Sequence, residues 1–331
     1  MGSLLEVRDL RVAYRTRGGN ISEALEGVSF YLEAGQVLGV LGESGSGKST
    51  LATSVLGLFP ANAIVRTGAV LFEGRDLLQA KADELQKIRG KRISLIFQEP
   101  SVALHPAMRV GRQVRHVLAA HGTNGREVVK QRVREILQTM FAEEAERIGR
   151  SFPHQLSGGQ RQRVLIAQAI ACGPSLVIAD EPTASLDPTT QMEILGVFRG
   201  LQKNLGLATI FITHNPALLA GFADCVLVLY AGKVVELGPA EAVLASPKHP
   251  YTQALFQSIP PLVSEPGDAR KKKLPAIPGD SRPSSLPKAG CRFEPRCPER
   301  MQVCKSREPG LVSLNDRHIV SCFKYDANEN R

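Results

Sequence analysis

The feature that most constrains the fold is a glycine-rich stretch between an apolar run and a helical pattern. The apolar run at 37–41 is typical of a buried strand. It leads into Gly-Glu-Ser-Gly-Ser-Gly-Lys-Ser at 42–49, which matches the pattern G-x-x-x-x-G-K-[ST] at every fixed position. A helix is predicted to follow, from about Lys48 to Phe59. This order of strand, glycine turn and helix predicts an α/β fold with a phosphate-binding loop.

The chemistry of phosphate binding explains the spacing in this loop. Glycines allow successive backbone N–H groups to turn inward around phosphate oxygens, and the positive end of the following helix adds to the attraction. Lys48 is expected to reach the β- and γ-phosphates of a nucleotide, and Ser49 to bind Mg²⁺. The residues of this loop and helix start that we expect to contact the nucleotide are Gly42, Ser44, Gly45, Gly47, Lys48, Ser49 and Thr50.

A second apolar run ends in two carboxylates. The run at 176–179 predicts a buried strand, which we expect to lie beside the strand at 37–41 and to deliver Asp180 and Glu181 to the phosphate loop. Asp180 is expected to hold the Mg²⁺ shell, and Glu181 to act as the general base on the attacking water. Together the two motifs indicate a P-loop NTPase, a class that includes kinases, GTPases, helicases and motors.

The rest of the first 258 residues fits an α/β core with one interruption. Further strands are predicted at 69–72, 92–97, 208–213 and 226–230, with helices between several of them. Apolar strands alternating with helices indicate a parallel sheet covered on both faces. Residues 99–156 carry polar helical patterns instead, so we interpret them as an inserted helical subdomain.

Composition limits the class of protein without selecting a function. The chain has 331 residues, of which 43% are hydrophobic, and a formal charge of +9, so it can build a large core and attract anions. No stretch approaches the roughly 18 apolar residues of a membrane span, and the first residues do not resemble a secretory signal. We therefore expect a soluble protein in a reducing compartment, where disulfides are rare.

Between the two nucleotide motifs lies Leu-Ser-Gly-Gly-Gln at 156–160, a second anion cradle of hydroxyl and glycine N–H groups at a predicted helix start. This segment resembles the signature of ABC ATPases in every position. The resemblance implies a RecA-like P-loop core with an antiparallel β subdomain and a helical subdomain. It also implies that this cradle binds the γ-phosphate of ATP held by an opposite subunit, through Ser157, Gly158, Gly159 and Gln160.

Other positions of that family are filled as well. Gln98 resembles the glutamine that senses Mg²⁺ and the attacking water, and Asp187 belongs to a segment that resembles the loop between subunits. His214 resembles the switch histidine that contacts the γ-phosphate. Tyr14 resembles the aromatic residue that stacks on adenine. By resemblance, the catalytic residues are Glu181, His214 and Gln98, and ATP and Mg²⁺ are the cofactors.

The segment His-Pro-Tyr-Thr at 249–252 resembles that of the oligopeptide, dipeptide and nickel importer ATPases. The chain resembles the dipeptide-type first subunit of these importers. The resemblance implies a peripheral protein at the cytoplasmic face of the inner membrane that powers dipeptide or oligopeptide import. Its implied partners are a second, different ATPase subunit, two membrane-spanning permease subunits and an external solute-binding protein.

Two alternatives to peptide import remain at this point. The same ATPase could serve a nickel or other small-solute importer, since the permease and the binding protein choose the solute. A non-transport ABC ATPase acting on nucleic acid is the alternative from a different class. It is disfavoured because Lys48 and Ser157 are only 109 positions apart with no long coiled coil between them, one set of motifs is present, and no cysteine precedes Cys172. No nucleic-acid partner is expected.

Four cysteines crowd into the C-terminal region. Cys291, Cys297, Cys304 and Cys322 are separated by 5, 6 and 17 residues. Thiolates are soft ligands, so zinc, an iron–sulfur cluster and no metal all remain open from the residues alone. The resemblance to dipeptide-type ATPases implies a 4Fe-4S cluster. The remaining cysteines, Cys172 and Cys225, lie in apolar surroundings and are expected in the core.

The composition changes after about residue 258. Residues 260–290 hold many prolines and a lysine run at 271–273, with little apolar pattern. We therefore predict two domains, an ATPase domain at 1–258 and a loop-rich extension at 259–331 that carries the four late cysteines.

Overall fold

A computed structural model describes residues 2–258, 276–279, 289–315 and 317–326. Most of the proline-rich segment and the whole lysine run at 271–273 lie outside these residues. Within them, the largest sheet has eight strands in the order β11-β12-β10-β9-β3-β8-β7-β6. The strands are β3 (Val37–Leu41), β6 (Ile93–Ile96), β7 (Leu176–Asp180), β8 (Ala208–Ile212), β9 (Cys225–Tyr230), β10 (Lys233–Pro239), β11 (Val312–Asn315) and β12 (His318–Val320).

This sheet is parallel in its centre and antiparallel at one side. Strands β9, β3, β8, β7 and β6 run parallel, as the alternation of apolar strands and helices predicts. Strands β10, β12 and β11 continue the sheet antiparallel to their neighbours. Since β11 and β12 come from the C-terminal region, the extension adds strands to the core sheet, which its loop-rich composition did not predict.

A smaller antiparallel sheet has the order β2-β1-β4-β5. Its strands are β1 (Leu5–Arg15), β2 (Ile21–Leu32), β4 (Ala63–Phe72) and β5 (Arg75–Asp76). Alternating residues of β1, such as Leu5 and Val7, are buried and share a hydrophobic core with Leu38 and Ile210 of the larger sheet. The small sheet therefore covers one face of the larger one.

The opposite face of the large sheet is covered by helices. The helices in the described residues are α1 (Lys48–Val55), α2 (Ala82–Ile88), α3 (Pro100–Ala103), α4 (Val110–Ala120), α5 (Arg126–Phe141), α6 (Ala145–Arg150), α7 (Gly158–Ile170), α8 (Pro188–Leu205), α9 (Ala240–Ala245) and α10 (Pro250–Gln257), and not all of them lie on this face. Side chains of α4 to α8 form one core with Val177 and Phe211 of the sheet. Helix α1 belongs to the other core, through Leu51 and Val55.

Three predictions about position were wrong. Strand β7 is not beside β3, because β8 lies between them and pairs with both. Helix α1 ends at Val55 rather than near Phe59, because the chain turns at Leu56 and Gly57 has a φ of +62°. Cys172 and Cys225 are half-buried and pack at the edges of the two cores rather than inside them. The division at 258 and the helical subdomain at 99–156 stay predictions.

Candidate functional site

The phosphate loop joins β3 to α1 and takes a shape that only glycine fits at two positions. Gly47 has a φ of +108°, and a Cβ there would lie 2.6 Å from the Ala24 carbonyl oxygen. A Cβ on Gly42 would lie 2.4 Å from the Leu229 carbonyl oxygen. Side chains at these positions would displace the neighbouring backbone, so the fixed glycines of the motif have a steric cause here.

Lys48 points back into the loop that precedes it. Its Nζ donates to the carbonyl oxygens of Gly42, at 2.7 Å, and Glu43, at 2.9 Å. Only 6% of the residue is exposed. Burial lowers the pKa of Lys48, while the carboxylates of Glu181, Asp180 and Glu43 act in the opposite direction. The ammonium group is thus held at the loop by acceptors that phosphate oxygens can replace.

Asp180 lies at the end of β7, within hydrogen-bond reach of Ser49. Burial raises the pKa of this carboxyl, the Ser49 hydroxyl lowers it, and the charge of Glu181 adds to the increase. A hydroxyl and a carboxylate side by side are oxygen ligands of the kind that Mg²⁺ prefers. The structure therefore brings together the two residues predicted to hold the metal with the triphosphate.

Glu181 contacts two other side chains, and each of the three follows the end of a strand. Its Oε2 accepts a hydrogen bond from Gln98 Nε2 at 3.1 Å and lies 3.4 Å from His214 Nδ1. These residues follow β7, β6 and β8, whose carboxyl ends share one edge of the sheet. Glu181 also has a φ of +48°, a left-handed conformation that is uncommon outside glycine and often marks a functional position. The arrangement can place a carboxylate, an amide and an imidazole around one water molecule.

These groups line a single cavity of about 390 Å³. Its lining residues are Ala24, Ser44, Gly45, Gly47, Lys48, Ser49, Thr50, Gln98, Glu181 and His214. Tyr14 lies next to it, where its hydroxyl donates to Thr50 Oγ1 at 3.2 Å. The cavity is large enough for a small-molecule ligand and presents a cation, N–H donors and a carboxylate to it.

The second predicted anion cradle, at 157–160, lies at the start of α7 and does not line this cavity. Ser157 is the N-cap of α7, where its Oγ accepts from the Gln160 N–H at 3.2 Å and Gln160 Oε1 accepts from the Ser157 N–H at 3.1 Å. Asp187 is the N-cap of α8 and accepts from the Thr190 N–H at 3.0 Å. Ser157 and Asp187 are exposed, and neither these two nor Gly158, Gly159 and Gln160 are among the residues that line the cavity.

The four late cysteines converge on a different, small cavity of about 20 Å³. Burial raises the pKa of Cys291 to about 12 and that of Cys297 to about 11, with smaller increases from neighbouring thiols, and it also raises the pKa of Cys322. All six cysteines are free thiols. Within the described ranges, no group of three or more His, Cys, Asp or Glu side chains forms a set that could hold a metal ion.

The His-Pro-Tyr-Thr segment begins α10 beside this cavity. Burial lowers the pKa of His249 to about 3, so the ring is neutral and its Nδ1 can accept the Tyr251 N–H at 3.0 Å. Sequence reasoning missed what anchors the segment, which is the buried carboxylate of Glu236. This carboxylate accepts from the N–H groups of Lys248, at 2.8 Å, and His249, at 3.0 Å, and lies 2.9 Å from His318 Nε2.

Comparison with known families gives two matches along the chain. Residues 25–184 match the ABC transporter family, and residues 235–304 match the oligopeptide/dipeptide transporter C-terminal region. In the described part of the chain, none of the helices has the length and apolar character that crossing a membrane requires.

Curated relatives resemble the chain over nearly its full length. It is 41% identical to the oligopeptide transport ATP-binding protein of Bacillus subtilis, over 97% of this chain and 88% of the relative. It is 42% identical to the Escherichia coli protein of the same description, over 97% and 93%. It is 39% identical to the dipeptide transport ATP-binding protein of Bacillus subtilis, over 98% and 96%.

Solved structures of similar fold support the same grouping. A dimeric ATP-binding cassette in a post-hydrolysis state, bound to ADP and phosphate, has a TM-score of 0.63 and 30% identity, covering 71% of this chain and 98% of its own. A component of an ABC transporter complex from Clostridium perfringens has a TM-score of 0.65 and 29% identity, covering 74% and 92%. The architecture is that of an ABC ATPase cassette.

Proposed function

From the premise that this chain belongs to the family of oligopeptide and dipeptide ABC transporter ATP-binding proteins, we infer that it is the ATPase that powers peptide import. The observation that carries this function is the convergence of Lys48, Glu181, Gln98 and His214 on one cavity. A fold alone does not establish an activity, but this site supplies the groups that ATP hydrolysis needs.

Each group at the cavity has a role in the proposed reaction. Lys48 and the inward N–H groups of the loop bind the β- and γ-phosphates, and Ser49 with Asp180 binds Mg²⁺. Glu181 takes a proton from the attacking water, while Gln98 and His214 orient that water and the γ-phosphate. Tyr14 stacks on the adenine ring.

We further propose that each site is completed by a second ATPase subunit. The support is that the Ser157–Gln160 cradle is at an exposed helix start and is not among the groups that line the chain's own nucleotide cavity. In this arrangement, Asp187 lies in the segment between the subunits. Two subunits close on two ATP molecules and separate after hydrolysis, and this motion is passed to the permease.

The proposed setting follows from the relatives. The chain acts at the cytoplasmic face of the inner membrane, on two permease subunits that receive peptides from an external binding protein. The partner ATPase is a different chain of the same class. A nickel or other small-solute importer would use the same ATPase chemistry, so the solute is assigned from the relatives named for peptide transport.

The experiment that tests this function is peptide uptake by the reconstituted importer. Glu181→Gln keeps ATP binding but removes the base, so we expect uptake and ATP turnover to fall by about 10²–10⁴-fold. Glu193→Gln is the matched control, because Glu193 is an exposed acid on α8 that pairs with Arg163 at 2.8 Å. Normal turnover in Glu181→Gln would contradict the role of the base. Normal turnover without peptide uptake in the unmodified importer would contradict the solute assignment.

For the extension, we propose a 4Fe-4S cluster held by Cys291, Cys297, Cys304 and Cys322. The support is the donor set, four soft thiols on one cavity that is also lined by Phe293 and Phe323. In the described residues, these thiols do not yet form a metal-holding group, so binding a cluster would require them to move closer together. A bound cluster would supply covalent cross-links between the loops and a one-electron redox couple. The test is iron and sulfide analysis of protein purified without oxygen, with zinc measured alongside. About four irons per chain supports the cluster, while zinc or no metal contradicts it.

A further inference from the structure

Glu43 is an acidic residue within the loop that binds the triphosphate. It directly follows Gly42, and its carbonyl oxygen accepts from Lys48 Nζ at 2.9 Å. About a quarter of its side chain is exposed. ATP is a polyanion, so a bare carboxylate at this position opposes ATP binding through charge repulsion. The loop motif leaves this position variable, and the presence of an acid here needs a compensating cation.

Arg296 supplies that cation from the other end of the chain. Its Nη1 and Nη2 bind the two carboxylate oxygens of Glu43 at 2.8 and 2.9 Å, in the paired geometry that suits a guanidinium and a carboxylate. Nη1 also donates to the Tyr230 hydroxyl at 3.2 Å, and Nε donates to the Pro278 carbonyl at 2.7 Å. With 5% of its side chain exposed, Arg296 is fixed from several directions.

A second group outside the loop holds the backbone of the same residue. The Tyr251 hydroxyl accepts from the Glu43 N–H at 2.9 Å. The Tyr251 ring packs against Tyr230, with ring centroids 4.6 Å apart, and against Phe293, at 5.4 Å. Both the side chain and the backbone of Glu43 are therefore set by residues that lie far from the phosphate loop in the sequence.

The Arg296–Glu43 pair connects the phosphate loop to the cavity that the four late cysteines line. Arg296 directly precedes Cys297, and Phe293 lies between Cys291 and Arg296 while lining the cavity. Within the described residues, the extension thus reaches the phosphate loop through the Arg296–Glu43 ion pair and through the packing of Phe293 on Tyr251. Neither feature is used in the reaction assigned to the nucleotide cavity.

We propose that Arg296 is a positioning residue for ATP binding, which neutralises Glu43 and holds the phosphate loop in the shape that the triphosphate requires. This inference rests on the proposed binding of ATP at that loop. It gives the extension a part in nucleotide binding that does not depend on what the four thiols hold. The competing explanation is that Arg296 only fastens the extension to the core, in which case its loss would lower stability and leave ATP affinity unchanged.

The test is a double-mutant cycle on ATP affinity, measured by equilibrium binding of ATP to the full chain. Arg296→Met keeps an unbranched apolar stem, which ends at about the position of Nε, and removes the guanidinium charge, so we expect the Kd for ATP to rise about tenfold. Glu43→Gln removes the carboxylate and with it the need for neutralisation, so it should change the Kd by less than about threefold. Arg296→Met in the Glu43→Gln background should also change it by less than about threefold, because no carboxylate remains to be neutralised.

The matched control is Arg292→Met. Arg292 comes from the same extension and is 20% exposed, but it pairs with Glu26 on β2 and with the Ala231 carbonyl rather than with the phosphate loop. We expect a similar fall in the thermal midpoint and less than about twofold change in the Kd. If Arg296→Met does not fold, Arg296→Lys, which keeps the charge but not the paired geometry, should raise the Kd about threefold.

The outcomes separate this inference from the proposed function. Equal losses of affinity in Arg296→Met and Arg292→Met, or an undiminished effect in the Glu43→Gln background, would overturn the positioning role. So would a lower thermal midpoint in Arg296→Met with an unchanged Kd. Failure of the unmodified chain to bind ATP would overturn the ATP site itself, and this inference with it.

Discussion

The nucleotide cavity and the cavity lined by the four late cysteines differ in the chemistry of the residues that line them. The first is lined by a lysine, a glutamate, a glutamine and a histidine at the ends of parallel strands. The second is lined largely by thiols, prolines and phenylalanines between loops and short strands. Strand ends set by the sheet can present reactive groups without support from a ligand, whereas a loop-built pocket depends on long-range contacts or a metal for its shape.

This difference predicts that variants of the two regions separate into two groups. Changes at the nucleotide cavity should alter ATP binding and turnover with little loss of stability. Substitutions of the residues that anchor the extension should mainly lower the stability of the fold. The Arg296–Glu43 pair is the place where the two groups should overlap, because it joins both regions.

The largest effect on the nucleotide side is expected from Lys48. Lys48→Ala removes charge-assisted hydrogen bonds to phosphate, each worth about 1.5–3 kcal/mol. We expect ATP affinity to fall at least about 100-fold, measured by equilibrium binding. The thermal midpoint without nucleotide should change little, since the hydrogen bonds of Lys48 within the described ranges go to two loop carbonyls. An unchanged ATP affinity in Lys48→Ala would contradict the assignment of Lys48 to phosphate binding.

For the extension, the corresponding prediction concerns the buried Glu236. Glu236→Ala leaves the N–H groups of Lys248 and His249 and the ring of His318 without their shared acceptor, in a site with 0% exposure. Breaking a buried pair costs roughly 3–5 kcal/mol, so the midpoint of urea unfolding should fall clearly.

The control for this variant is Glu308→Gln. Glu308 pairs with Lys233 between the extension and β10 but is 45% exposed, so the expected cost stays within about 1 kcal/mol. Similar stability in both variants would contradict the view that buried contacts hold the extension in place.

The smallest effect is expected from Tyr14, at the rim of the nucleotide cavity. Stacking of a base on an aromatic ring is worth about 1–3 kcal/mol, so Tyr14→Ala should weaken ATP binding about tenfold. Tyr14→Phe keeps the ring and loses the hydrogen bond to Thr50, so its effect should stay below about threefold. Equal effects of the two variants would show that the hydroxyl, not the ring, binds the nucleotide.

The sequence predicted the nucleotide side better than the extension because its signals are local. A strand, a glycine loop and a helix are continuous in the chain, so Gly42 to Ser49 could be placed without knowing any other part of the fold. The order of the neighbouring strands in the sheet could not be predicted in this way. That β8 separates β3 from β7 depends on pairing between distant segments, which periodicity does not encode.

The contacts described above between the extension and the core join segments that are distant in the sequence. Glu43 and Arg296 are 253 positions apart, and each looks unremarkable in its own segment. The short strands β11 and β12 become strands by pairing with each other and with β10, at the edge of an existing sheet. For these residues, local propensity carries little information, and tertiary packing decides.

The central claim, that this ATPase works as a pair of subunits, is tested most directly by ATP turnover per subunit as a function of subunit concentration. The measurement is made with the chain alone and with its partner ATPase, while light scattering reports the mass. The account predicts slow turnover for the monomer and a rise in turnover that follows assembly. Fast turnover that is independent of concentration, by a chain that stays monomeric, would contradict it.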